Sequence, residues 1–271
     1  MRRSNASAWI SGTVGWALAL LLFFPVFWLV ITAFKTEQDA YATTLRFTPT
    51  LASFHEVFAR GDYGAAAWNS ILISLGSTLF CFVLAIPAAY QMAFFPTRRT
   101  PSMLMWMLST RMMPAAGVLI PVYLLCRSSR LLGNPLGLII VYTLMNLPIA
   151  VWMCHAYFVE VPASILEAAR VDGAGIARQI WHVVAPLTLP GIFATALLLI
   201  VLAWNESFWS LNLSGARGAP LTAFIASYSN PEGLFWAKLS AASLLAIAPV
   251  IVMGWLTQRQ LVSGLTFGAV K

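Results

Sequence analysis

Read as a polymer, the chain is an all-α integral membrane protein with about six spans, on three grounds. Hydrophobic residues make up 60% of its 271 residues and charged ones 9%, against roughly 45–50% and 25% in soluble domains. The uncharged runs reach the length of about 20 residues that a bilayer-crossing helix needs. A membrane barrel would instead need short alternating strands separated by turns, and no such pattern is present.

The first span is expected over 12–34. Arg2 and Arg3 precede it like the basic start of a signal peptide. However, the 23 uncharged residues 12–34 are too long for a signal core, and no A-x-A cleavage site follows. The other spans are expected over 69–94, 103–126, 136–158, 189–211 and 239–258. Residues 1–271 read as one transmembrane domain without internal repeats or low-complexity linkers. Pro25, Pro87, Pro114, Pro121, Pro148 and Pro249 fall inside these spans. Membrane helices tolerate prolines where neighbours satisfy the freed carbonyls. Most connections are short. The segments 35–63 and 212–238 are longer, and two pairs of spans separate them, which puts both on the same side.

Composition also limits the chemistry. A net charge of +7 with basic residues scattered singly or in pairs suits a membrane surface and argues against nucleic-acid binding. No lysine follows glycine and precedes Ser or Thr, so there is no phosphate-binding P-loop. Cys81, Cys126 and Cys154 lie in apolar runs without metal spacing and read as small core residues. His55, His155 and His182 have no ligand-like company, and no nucleophile–base pair is visible. A membrane enzyme has no residues to stand on.

The longest polar interruption in the second half begins at Glu167-Ala168-Ala169-Arg170-Val171-Asp172-Gly173-Ala174 and runs to Pro186 and Pro190. Ser164 and Glu167 fit an S-x-x-E capping box, predicting a short helix from about Ser164. Gly173 should stop it. A second helix should follow, with Ile176, Ile180, Val183 and Val184 on one stripe. Two short helices outside the bilayer between two spans form a docking element.

This segment, residues 159–188, resembles the EAA loop of ABC importer permeases. The chain as a whole is similar to the carbohydrate-uptake, maltose-type branch, and the tail Leu261-Val262-Ser263-Gly264-Leu265-Thr266-Phe267-Gly268-Ala269-Val270-Lys271 is similar to that family's C-terminus. The blocks Trp106-Met107-Leu108-Ser109-Thr110-Arg111-Met112-Met113-Pro114 and Trp204-Asn205-Glu206-Ser207-Phe208-Trp209-Ser210-Leu211-Asn212 more narrowly resemble sugar-alcohol (sorbitol/mannitol-type) permeases. The resemblance implies a type I importer permease with a cytoplasmic coupling-helix loop, in which Glu167, Ala168, Ala169, Asp172, Gly173 and Ala174 meet an ATPase. It implies a second permease subunit, two ATPase subunits and an extracytoplasmic solute-binding protein as partners, in a lipid membrane. ATP and Mg would be used by the partner ATPase, with no cofactor bound by this chain. The tail 263–271 would reach into the ATPase pair. In the maltose-type branch most sugar contacts belong to the other permease.

The same resemblance sets the orientation in a bacterial cytoplasmic membrane, with both termini cytoplasmic. Arg2, Arg3, Arg98, Arg99, Arg170, Arg178, Arg259 and Lys271 then lie inside, against Lys35, Arg46, Arg60, Arg127, Arg130, Arg217 and Lys238 outside, a small inside excess. Rival readings are the same machine carrying a disaccharide or a sulfonated sugar, and, more distantly, a secondary transporter or channel.

Charges within spans are costly unless partnered or water-lining. Arg111 lies about eight residues into its span and Glu206 about 17 into its own, a depth difference of about 14 Å that argues against a direct pair. A polyol path would use Arg111, Glu206 and the amides and aromatic faces of Tyr142, Asn146, Trp204 and Asn205, groups that equally suit helix-to-helix bonding. In the loop 212–238, the residues Asn212, Gly215, Gly218, Pro220 and Thr222 are candidates for contact with the binding protein, in the position of the family's scoop-like loop. The aromatic side chains Phe224, Tyr228, Phe235 and Trp236 make full solvation of that loop unfavourable.

Overall fold

The structure, a computed structural model, describes residues 5–215, 217–230 and 233–266. The helices in chain order are α1 (Asn5–Ala33), α2 (Glu37–Ala40), α3 (Ala52–Ala59), α4 (Tyr63–Phe94), α5 (Thr100–Thr110), α6 (Ala115–Ser128) and α7 (Pro135–Val159). Then come α8 (Ala163–Val171), α9 (Ile176–Gln179), a π-helical turn (Ile180–Val184), α10 (Ala185–Leu187), α11 (Leu189–Trp204), α12 (Phe208–Leu213) and α13 (Leu221–Ala226). A two-residue antiparallel pairing of β1 (Ser229–Asn230) with β2 (Gly233–Leu234) precedes the last helix, α14 (Trp236–Thr266). The fold is all-α. Among the described residues four helices are long and apolar enough to cross a bilayer alone, and up to six spans result if each of two bent helix pairs counts as one.

Two expected spans are broken. The run 103–126 divides at Arg111–Pro114 into α5 and α6, bent by 87°. Pro114 has no amide hydrogen and disfavours helical geometry at Met113, so the helix ends before it and restarts after it. The run 189–211 ends its helix at Trp204 and restarts as α12. A second bend, of 85°, lies between the segment Ile176–Leu187 and α11.

By residue contacts the described chain divides into two compact units. Among the described residues, one takes in those up to Tyr63 with Ile225–Ala248, the other Gly64–Phe224 with those from Pro249 on. In the first, the apolar side chains of α1 from Val14 to Phe27 are exposed in the isolated chain. Lys35, at the end of α1, is fully buried. Its Nζ donates to the carbonyls of Ala42 (3.1 Å) and Thr44 (2.8 Å) and lies 4.9 Å from the Trp28 ring centre. This replaces water around the ammonium and wraps the following segment back onto the helix. Within this unit the segment after α1 bonds to residues before and at the start of α14. The Glu37 carboxylate accepts from the amides of Ala237 (3.2 Å) and Lys238 (3.4 Å), capping α14. Lys238 pairs with Glu56 at 2.5 Å, and Arg60 donates to the Ser227 hydroxyl at 2.9 Å. A cleft of about 410 Å³ opens between these groups and the Tyr228 and Phe235 rings. Burial raises the Tyr228 phenol above its ordinary range, with Arg60 opposing.

In the second unit α7 is central, with α5, α11 and α12 packed on it. α4 presents a buried seam of small residues, Ser70, Ser74, Ser77, Cys81, Ala85 and Ala89, spaced at helical intervals. Small side chains let membrane helices approach closely, where dispersion and interhelical hydrogen bonds replace the hydrophobic drive. The Cys81 thiol accordingly donates to the Thr143 carbonyl of α7 at 3.3 Å. Cys81, Cys126 and Cys154 are all buried and unbridged, as their apolar setting predicts.

Candidate coupling surface and helix-break network

The polar interruption folds as two short helices. α8 starts at Ala163 with Pro162 as its cap residue and no side-chain cap bond, which corrects the expected capping box. Pro162 has no amide to satisfy and fixes the start, leaving Ser164 already inside the first turn. The stop is as expected. Gly173 has φ +79°, its amide donates to Arg170 O (3.0 Å), and the Ala174 amide donates to Ala169 O (2.9 Å). These are the two bonds of a Schellman motif, and the left-handed residue in it favours glycine.

One face of α8 is anchored and the other is free. Leu166 is buried with Ile86, Tyr90, Phe158, Ile180 and Val184. Glu167, Ala168, Asp172 and Gly173 are exposed, and Ala169 and Ala174 are half-buried. Val171, 88% exposed, and Ile176, 59% exposed, add apolar knobs to this surface. The expected stripe of the second helix is therefore partly wrong: Ile180 and Val184 are buried, whereas Ile176 faces outward. Gln179 takes the buried place. Its Nε2 donates to Ala174 O and its Oε1 accepts from the Tyr90 hydroxyl of α4, both at 2.6 Å. From α8, the Arg170 guanidinium lies 4.9 Å from the Phe95 ring centre, just beyond α4. Sequence reasoning missed Gln179 and Tyr90, although an amide inside an apolar helical stripe signals a buried, satisfied polar group. Ahead of Pro186 the helix widens into the π turn, with the Ala185 amide donating to Ile180 O. Proline cannot donate one turn back, which favours such a register change.

Of the residues expected along a substrate path, Arg111, Trp204, Asn205 and Glu206 lie at the helix breaks, and Tyr142 and Asn146 of the unbroken α7 bond to them. Arg111 ends α5 and donates from one guanidinium nitrogen to Met145 O (2.8 Å) and Asn146 Oδ1 (2.7 Å) of α7. Asn146 is buried. Among the described residues no carboxylate lies within ion-pair distance of Arg111. Glu206 instead accepts the Trp209 amide through Oε1 at 3.1 Å, capping the first turn of α12. The Glu206 carbonyl, freed at the break, accepts from the Tyr142 hydroxyl (3.2 Å) and the Thr222 hydroxyl (3.1 Å). Trp204 is buried, whereas Asn205 is exposed and donates back to Val201 O at 2.8 Å. A cavity of about 590 Å³ beside the first break is lined by Arg111, Met113, Val122, Cys126, Leu144 and Trp209, among others.

The candidate binding-protein residues divide. Asn212 is exposed and donates to its own helix at Phe208 O. Gly218 and Pro220 are buried, and Gly215 and Thr222 are half-buried. A Cβ on Gly218 would stand 2.5 Å from Gly133 O, and one on Gly215 would stand 3.2 Å from Gly133 Cα, so these glycines serve close backbone packing. Asn69 donates to the carbonyls of Arg217 (3.0 Å) and Ala219 (3.1 Å), and the Leu221 amide donates to the Ser70 hydroxyl (2.8 Å). This first part of the loop is thus tied down along the start of α4. The expected ATPase contact of the tail falls partly on residues 267–271, outside the described residues.

Comparison with known proteins agrees with this geometry. The chain is 32% identical over 95% of its length to the trehalose transport system permease protein of Mycobacterium tuberculosis, covering 94% of that protein. It is 29% identical over 92% of its length to the sulfoquinovosyl glycerol transport system permease protein of Agrobacterium fabrum, covering 88% of it. The fold matches a chain of a bacterial ABC transporter involved in import of the acidic polysaccharide alginate, with a TM-score of 0.79 at 20% identity, covering 96% of this chain and 98% of that one. Residues 70–262 match a family described as the binding-protein-dependent transport system inner membrane component, a match that takes in most of α4, both helix breaks and the helices α8 and α9. The chain belongs to that family, and is a multi-pass membrane transport subunit rather than an enzyme.

Proposed function

We propose that this chain is one of two permease subunits of an ABC importer that carries a neutral carbohydrate inward, with ATP hydrolysed by partner subunits. The observation that carries the reading is the coupling segment. It pairs a short helix, anchored by Leu166, stopped by Gly173 and presenting Ala168 and Val171 outward, with α9, which exposes Ile176. An exposed apolar patch flanked by charge fits a protein partner better than water. Closure of the ATPase pair would draw two such surfaces together and open the spans toward the loaded binding protein.

A sugar alcohol such as sorbitol or mannitol is the finer reading, supported by the two sequence blocks at the helix breaks. The relatives named for trehalose and for sulfoquinovosyl glycerol favour a second reading, a disaccharide or sulfonated sugar on the same machine. Proteoliposomes holding the complete importer and its binding protein should accumulate labelled mannitol or sorbitol in an ATP-dependent way. Uptake of trehalose or a sulfonated sugar, with the alditols ignored, would replace the first reading by the second. Uptake by this chain alone, without ATPase or binding protein, would replace both.

Orientation belongs to the same proposal, with both termini and the coupling segment in the cytoplasm. A reporter fused after Lys271 should be active only in a form that works in the cytoplasm. Activity of a form that works only outside would reverse the topology and remove the ATPase docking.

A further inference from the structure

α4 is gripped at two levels by segments distant in sequence, and both grips use hydrogen bonds to buried side chains. Near its C-terminal end the Tyr90 hydroxyl meets Gln179, which in turn holds Ala174 O in the turn that ends the coupling motif. Tyr90 is 1% exposed and Gln179 is 4% exposed. Arg170 over Phe95 ties the first coupling helix to the same place. Near its N-terminal end Asn69 and Ser70, also buried, hold the backbone of Arg217, Ala219 and Leu221. The residues between run in one helix, so at 1.5 Å per residue the grips stand roughly 30 Å apart, about the thickness of the hydrocarbon core. Pro87 removes one backbone bond between the grips, but the helix runs on through it, and the remaining ladder with the packed seam resists axial compression.

We infer that α4 is the rod linking the coupling turn to the 217–221 segment, with Tyr90 and Gln179 as positioning residues at one end and Asn69 and Ser70 at the other. The inference rests on the proposed importer function and adds which helix carries the movement. Removal of either grip leaves the docking face and the loop in place but lets each move without the other. Neither set of bonds touches the exposed face of α8, so ATPase attachment does not depend on them.

The test uses the complete importer in proteoliposomes, with hydrolysis measured with and without loaded binding protein. Tyr90→Phe and Ser70→Ala, at opposite ends, should each leave ATPase co-purification intact. Both should lower the stimulation by loaded binding protein about fivefold, the scale of one lost hydrogen bond. Transport per ATP should fall in both. Ser70→Thr, which keeps the hydroxyl acceptor, should restore the response, and Tyr90→Phe with Ser70→Ala should be little worse than either alone. Normal stimulation in both single variants overturns the inference, as does an effect at one end only. Loss of insertion or of ATPase attachment in both also overturns it, since the bonds would then be structural. A wild-type importer that holds no ATPase subunit instead overturns the proposed function.

Discussion

Ala168→Glu is expected to abolish uptake while leaving the protein at normal levels in the membrane. Ala168 is exposed on α8, so the folded chain tolerates the larger side chain. In a docked complex the new carboxylate would be buried without a partner, at a cost of about 3 kcal/mol or on the order of 100-fold in affinity. Gly173→Val should act through the backbone. Nothing lies within 4 Å of a Cβ there, but φ is +79°, a conformation in which the steric penalty is about 1–2 kcal/mol for ordinary residues and more for a β-branched one. ATPase co-purification and uptake measured together decide the matter. Wild-type values in both variants would show that this surface is not the docking face.

Arg111→Met should have the next largest effect, lowering uptake roughly tenfold, because each partly buried acceptor that it abandons costs about 1 kcal/mol. The two acceptors are Met145 O and Asn146 Oδ1. Without them the break between α5 and α6 loses its tie to α7 at the depth where irregular backbone most needs cover. Arg111→Lys should recover only part of the loss, since an ammonium is a compact point donor without the planar fork. Uptake normalised to inserted protein is the measurement. Full activity in Arg111→Met would leave the guanidinium without a role at the break.

The contrast between these two sites shows what the sequence made legible. Gly173 and the run from Glu167 to Ala174 were readable because local rules govern them: a glycine-stopped helix between two apolar runs has few alternatives. The spans were readable because bilayer thickness sets their length. The break at Pro114 was not, because proline inside a membrane helix can kink, bend slightly or end the helix, and the choice depends on what covers the freed backbone. Here Arg111 and α7 supply that cover. Glu206 was visible as a carboxylate in an apolar run, but its cap on α12 was not, because a break in the helix creates that use. Gln179 sat unnoticed in a stripe of aliphatic residues because its partner, Tyr90, is 89 positions away. The small-residue seam of α4 has helical spacing, yet its meaning depends on α7 lying against it.

The cap that Glu37 places on α14 joins residues separated by 200 positions. The unit it belongs to is assembled from two stretches far apart in sequence, one up to Tyr63 and the other Ile225–Ala248. During synthesis, which proceeds at about 5–20 residues per second, the segment after the first span must therefore wait for the last helix to emerge. Until then its buried lysine wrap can form locally, but the Glu37 carboxylate and the Glu56 side chain have not met the start of α14. Closing such a long loop is the slow step in building a contact of high sequence separation. A chain arrested before Trp236 would thus lack this clasp, and its completion marks the moment at which translation has passed the start of α14.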